Sequence, residues 1–185
     1  MQSPDKFQSD RLLYRGLHTA DLDALHAIYS TYAVQAAETR DWVAPRPESF
    51  RDTLTMWSKC ALFATVVEKE SGRVVGTTSI RAPFQRDREG EVAIALAEDV
   101  WGKGYGIEVM RWTVERGFEG LGLHRLALGV FETNESAVAV YKKVGFVEEG
   151  RNRKAVWIEG RWWDVILMAI LEDEYWVTKQ KTNGA

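Results

Sequence analysis

The sequence is poor in residues that staple, ligate or anchor a chain. Cysteine occurs once, at Cys60, among 185 residues. A single cysteine closes no internal disulfide, so a reducing, cytoplasmic setting is expected. Cys60 lies in Met56-Trp-Ser-Lys-Cys-Ala-Leu62 with no activating motif beside it, and reads as a small core hydrophobe rather than a nucleophile. There are only three histidines, and no metal is expected. Long apolar runs are missing too. The longest, Val165 to Leu171, is strand-sized, against the ~20 residues a membrane helix needs. The first residues, Met-Gln-Ser-Pro-Asp-Lys, are not a charged start followed by an apolar run, so no secretory leader is expected. Charge of one sign is also lacking: 24 Lys and Arg stand against 27 Asp and Glu, a net of −3. This balance gives no bulk field for nucleic acid. A polyanion would have to be held locally, by backbone N–H groups or a few cations. Neither nucleic acid nor a membrane is an expected partner. No repeat or low-complexity stretch interrupts the chain.

What is present suits one domain of ordinary size with a large core. Eight tryptophans add to that core or wall a cleft. Arg11–Leu17 reads as a strand. Thr19-Ala-Asp-Leu-Asp23 opens a helix, with Thr19 as cap and apolar Leu22, Leu25, Ile28, Tyr29 and Tyr32 at helical spacing. Residues 33–47 read as irregular, and Ser49–Cys60 as a second helix. Leu62–Glu68 and Arg73–Ile80 are β-rich runs joined by a hairpin signal, Lys69-Glu-Ser-Gly72. Glu91–Ala97 is a strand. Ile107, Met110, Val114 and Phe118 stripe a helix that Gly120 to Gly122 ends. His124–Phe131 is a strand, Thr133-Asn134 caps a short helix to Lys143, and a hairpin through Gly160 closes the order. This alternation predicts one mixed α/β domain over residues 1–178, with a frayed polar tail over 179–185.

The chemistry centres on a strand-to-helix turn, Trp101-Gly-Lys-Gly104-Tyr-Gly106. A helix N-terminus presents unsatisfied N–H groups and the positive end of the macrodipole. Glycines let the backbone approach an anion closely. The spacing does not fit a P-loop, which needs four residues between its glycines and then Lys-Ser/Thr. Nor does it fit a dinucleotide fingerprint, because Gly106 follows Gly104 too soon. A glycine-rich turn with no ligand would look similar in isolation.

Two further motifs follow in order: Asn134-Glu-Ser136-Ala137 with Tyr141-Lys-Lys143-Val-Gly145-Phe146, then Gly160-Arg-Trp-Trp-Asp164. With the glycine turn, these make the C-terminal half resemble the GNAT superfamily, the GCN5-related N-acetyltransferases, and within it the RimJ/RimL-type branch. That branch carries Trp101 where many members have Arg or Gln. The resemblance implies a central, mostly antiparallel sheet, splayed at the cofactor site and flanked by helices. It implies acetyl-CoA as cosubstrate and direct transfer to an amine, either a protein N-terminal amine or a small-molecule amine.

By the same resemblance, backbone groups around Ile94, Ala95 and Leu96 take the pantetheine arm. Trp101, Gly102, Lys103, Gly104, Tyr105 and Gly106 form the pyrophosphate turn. Asn134 and Ser136 meet the cofactor, and Lys143, with Lys142, faces its 3′-phosphate. Tyr141 stands beside the thioester sulfur. A phenol with pKa ~10 can protonate the leaving thiolate. The attacking amine must lose a proton, and Glu91, opening the strand, is the candidate base. A backbone N–H of that strand would polarise the thioester carbonyl. Each residue also has a plainer reading: Asn134 as a helix cap, Tyr141 as core packing, Glu91 as a solvated carboxylate. The acceptor side carries Glu38, Arg40, Asp41, Arg46 and Glu48, a mixed set that selects no amine, and Trp42, Trp57, Trp162 and Trp163 are candidates for its walls. A monomer or homodimer is expected. The alternative is a non-catalytic module that binds or senses acyl-CoA.

Overall fold

The computed structural model describes residues 5–82 and 85–183. Its strands are β1 (Leu12–Arg15), β2 (Leu62–Glu68), β3 (Val74–Arg81), β4 (Glu89–Leu96), β5 (Arg125–Phe131), β6 (Val147–Ile158) and β7 (Arg161–Leu171). They form one sheet in the order β1-β2-β3-β4-β5-β7-β6. Every neighbouring pair is antiparallel except β4 with β5. The helices are α1 (Leu22–Ser30), α2 (Tyr32–Glu38), α3 (Phe50–Trp57), α4 (Tyr105–Glu115), α5 (Glu135–Val144) and α6 (Glu172–Asn183).

Two hydrogen bonds assign the faces of the sheet. Thr77 on β3 meets the Tyr29 phenol of α1 at 2.7 Å. Its neighbour Thr78 meets Thr113 of α4 at 2.8 Å. Side chains alternate along a strand, so α1 lies on one face and α4 on the other. Residues registered with Thr77, namely Ala95 and by alternation Ala93 and Glu91, point toward α1. Ile94 and Val92 point toward α4, where Val92 joins Met110, Val114 and Phe118 in a core cluster.

Several expectations need correction. Residues 33–38 are helical rather than irregular, because Tyr32-Ala-Val-Gln-Ala-Ala-Glu38 is rich in strong helix formers. Thr31, with extended dihedrals, precedes them without a capping side-chain bond. Gln35 is buried and holds the following loop, accepting from the Ala44 N–H at 3.2 Å. Thr19 does not cap α1. Asp21 instead accepts the His18 N–H at 2.9 Å and clamps Arg15 at 2.5 and 2.8 Å. The tail is helical as far as Asn183, not frayed from Lys179. Tyr175 stacks on Phe118 at 4.9 Å, and Glu119 accepts from the Tyr175 phenol at 2.5 Å and pairs with the Lys179 ammonium. Cys60 stays a thiol: it donates to the Leu62 carbonyl, and burial pushes its pKa up.

Candidate active site

The site begins where β4 and β5 part. They pair only over Glu89–Glu91 with Arg125–Ala127. Beyond Glu91, β4 stays registered with β3 as far as Leu96 but has no strand partner on its other edge among the described residues. Along a strand, the N–H and C=O of one residue share an edge and the next residue's take the other. The Ala93 carbonyl accepts from Thr78 Oγ1, and the Ala95 carbonyl lies against Gly76, both on the β3 side. The backbone of Val92, Ile94 and Leu96 therefore faces the gap. Trp101 donates its indole N–H to the Leu96 carbonyl at 2.9 Å. Of the three strand residues expected to meet a pantetheine arm, Ile94 is the one whose N–H and C=O both face the unpaired edge with no bond across it among the described residues. Ala95 faces its neighbouring strand instead, so it does not offer the backbone groups expected of it.

At the mouth of the gap stands the start of α4. Gly102 and Gly104 adopt φ of 72° and 81°, the left-handed region that side chains disfavour. The first bond of the helical ladder runs from Glu108 to the Gly104 carbonyl, so the N–H groups of Tyr105, Gly106 and Ile107 lie ahead of it. This is a main-chain cradle for an anion at a helix N-terminus. A Cβ on Gly102 would meet nothing within 4 Å, so the space beside that residue of the turn is free. Gly106 lies on the side of α4 that faces α5, where an added Cβ would make ordinary contact with Val140 at 3.6 Å. Lys103 is exposed beside the turn.

Two side chains from outside the glycine motif, Arg11 and Glu68, brace this turn. Arg11 donates to the Lys103 carbonyl at 2.9 Å, pairs with Glu108 at 2.8 Å and lies 4.3 Å over the Tyr105 ring. The Tyr105 phenol donates to Glu68 at 2.5 Å, tying α4 to β2. Neither partner lies in the glycine motif, and only the sheet brings them there.

Asn134 caps α5, accepting the Ala137 N–H at 3.1 Å. Its amide also donates to the Ala37 carbonyl at 3.5 Å, so the end of α2 and the start of α5 meet. Ser136 donates to Asn134 Oδ1 at 3.0 Å. Trp101, Asn134 and Ser136 share a cleft of about 570 Å3 with Ala37, Arg161 and Trp163. Among the tryptophans proposed for its walls, Trp163 lines it. Trp57 packs on Tyr29 and Phe50, while Trp42 and Trp162 are mostly solvent-exposed. Lys142 and Lys143 are exposed on α5 and do not border this cleft.

Tyr141 is half-buried, edge-on to Phe146 at 5.9 Å, and its hydroxyl has no hydrogen-bond partner among the described residues. Burial first, and the charge of Glu38 second, push the phenol up to about 12. Glu91 points to the α1 face, is exposed, and pairs with Arg81 at 2.8 Å. Glu38, at the end of α2, is exposed and stands one residue past Ala37, which lines the cleft. Desolvation by the protein beside it raises its carboxyl to about 7, and Arg46 opposes the rise. Among the described residues no group of three or more His, Cys, Asp or Glu is arranged to hold a metal, and no helix is long and apolar enough to cross a membrane.

This geometry has known counterparts. The family model described as the acetyltransferase (GNAT) domain matches residues 11–147. A spermidine N(1)-acetyltransferase of Escherichia coli is 32% identical over 174 residues, covering 92% of this chain and 90% of the relative. An uncharacterized N-acetyltransferase of Bacillus subtilis, YoaA, is 27% identical, covering 89% and 96%. The fold matches the crystal structure of a spermidine N-acetyltransferase from Vibrio cholerae in complex with CoA and spermine. That match has a TM-score of 0.80 at 24% identity, over 90% of this chain and 99% of that one.

Proposed function

Because the chain belongs to the GNAT acetyltransferase family, we propose that it moves the acetyl group of acetyl-CoA directly onto a primary amine, of a protein N-terminus or of a small molecule. The observation that carries this reading is the unpaired edge of β4 after Glu91, opening toward the glycine turn. The N–H groups at the start of α4 would hold the pyrophosphate. Ile94 would accept and donate along the pantetheine arm, and a backbone N–H on the same edge would polarise the thioester carbonyl. Asn134 would bind near the pantetheine while keeping its capping bond. The RimJ/RimL-type placement is supported by Trp101 in the turn, whose indole reaches back to the strand end.

Tyr141 would protonate the departing thiolate. A phenol raised to about 12 stays protonated at neutral pH, and its hydroxyl is not committed to another group among the described residues. No placed nucleophile supports a covalent acetyl-enzyme, since Cys60 is engaged elsewhere. The spermidine acceptors named for relatives put polyamines in the panel of amines to be tried. The test is coenzyme A release with acetyl-CoA and a panel of N-terminal peptides, polyamines and amino sugars. Turnover with at least one amine is expected. Tight acetyl-CoA binding with no turnover on any of them would favour the non-catalytic acyl-CoA module instead.

A further inference from the structure

Two groups without a hydrogen-bond or ion-pair partner among the described residues are carried by helices on opposite sides of the sheet. Tyr141 comes from α5. Glu38 comes from α2, which packs against both β4 and β5. The ends of these helices touch where Asn134 donates to the Ala37 carbonyl, one residue before Glu38. Glu38 makes no hydrogen bond or ion pair among the described residues, although Arg46 is near enough for its charge to act on it. Arg46 itself is turned onto the Phe50 ring at 4.7 Å, with its Nε buried and without a partner. A carboxylate with no ion pair among the described residues, one residue past Ala37 on the cleft wall, is free to receive a positive group from outside. Glu91 is arranged otherwise: it lies where β4 and β5 still pair, and Arg81 already neutralises it at 2.8 Å.

We propose that Glu38, rather than Glu91, takes the proton from the acceptor amine. This rests on the acetyl-transfer reading above. The neutral amine nitrogen attacks the thioester carbonyl, forming the N–C bond. Glu38 takes one proton from that nitrogen, directly or through water. The C–S bond breaks and Tyr141 gives one proton to the sulfur. The proton on Glu38 then returns to Tyr141 through solvent, so amine and thioester become amide and thiol. The charged and titratable groups facing Glu38 are Arg46 from the segment before α3, Tyr29 from α1 and Tyr141 from α5. Both phenols are neutral at working pH, which leaves Arg46 as the only one of the three carrying a charge there. A base must be ionised to act, so kcat/KM should rise through pH 7 as Glu38 loses its proton.

The experiment is a pH–rate profile of the full chain with its best amine, for wild type, Glu38→Gln and Glu91→Gln, with acetyl-CoA Kd measured for each. Glu38→Gln should lose the limb near pH 7 and fall about 10²- to 10⁴-fold in kcat. Its acetyl-CoA Kd should stay within about twofold, a change small on the scale of one lost contact. The limb set by the amine's own ionisation should remain in all three proteins. Persistence of the pH 7 limb in Glu38→Gln overturns the proposal, as does its loss in Glu91→Gln instead. Lost acetyl-CoA binding in Glu38→Gln also overturns it, because Glu38 would then serve the fold or the cofactor. Wild type that binds acetyl-CoA but acetylates no amine overturns the acetyl-transfer reading itself, a result distinct from the other three.

Discussion

Arg11 donates to the carbonyl of Lys103 at 2.9 Å, so a residue preceding the first strand holds the turn that starts α4. A turn with two left-handed glycines has many alternative conformations, and its N–H groups converge on an anion only if its path is fixed. Arg11→Ala removes the carbonyl's donor and the Glu108 partner together. One net hydrogen bond is worth about 0.5–1.5 kcal/mol. The KM for acetyl-CoA should therefore rise about 3- to 10-fold, with kcat little changed. Steady-state kinetics at saturating amine checks this, and an unchanged KM would show that the turn holds its path unaided.

Tyr141 gives the sharpest test of the donor chemistry. Burial holds its phenol at about 12, so it should remain a proton donor up to pH 10. Tyr141→Phe keeps the ring that packs on Phe146 and removes only the hydroxyl. A loss of about 10²-fold in kcat is expected, with acetyl-CoA Kd preserved. Wild-type kcat should show no decline from phenol ionisation below pH 10. An undiminished rate in the variant would remove Tyr141 from the mechanism.

The Arg15–Asp21 pair links the fold to pH. Asp21 is 4% exposed and accepts two bonds from Arg15 and one from the His18 N–H. The bonds from Arg15, above all, hold its carboxyl below the usual 3.8. A depressed folded-state pKa contributes stability above the unfolded value, and that stability is lost as pH falls through the folded one. Asp21→Asn should thus cost about 1–3 kcal/mol near neutrality, less than for a fully buried pair because Arg15 reaches water. Urea midpoints for the two proteins should converge below pH 3.8. A gap that stays constant across pH would refute an ionic origin.

The elements proposed to hold the donor were legible because they are local. The glycine turn, the Asn134 cap and the Tyr141 helix each occupy a few consecutive residues, and local chemistry fixes their form. The long-range half was not. Arg11 and Lys103 lie far apart in sequence, and nothing in the alternation of Arg11–Leu17 says that a side chain before β1 will cross to α4. The helix carrying Glu38 was hidden for a different reason. Its start, at Thr31, makes no side-chain cap bond, and the prolines at 45 and 47 suggested loop throughout. Once helix propensity rather than capping is weighed, Ala33, Ala36 and Ala37 do favour a helix there. The choice between Glu91 and Glu38 depended on Arg81, a partner set by β3–β4 register, which composition does not reveal.

Register also explains the glycine opposite the site. Gly76 pairs with Leu96 at the bulge between Val66 and Val67, and its φ is 156°. A Cβ built there would lie 2.1 Å from the Ala95 carbonyl oxygen and 2.9 Å from Leu96 Cα. Both are backbone atoms, so no side-chain rotation relieves the clash and β4 itself must move. Such a forced shift costs about 1–3 kcal/mol. It would displace the strand segment whose outer edge presents Ile94 to the gap. Gly76→Ala should therefore lower the urea midpoint and also reduce kcat/KM for acetyl-CoA, even under conditions where the variant is fully folded. The control is Gly72→Ala, at a hairpin turn where an added Cβ meets nothing within 4 Å although φ is 69°. It should lose stability from backbone strain alone and keep its kcat/KM. Equal kinetic losses in both variants would mean that the loss follows reduced stability and that the exact line of β4 does not set the chemistry.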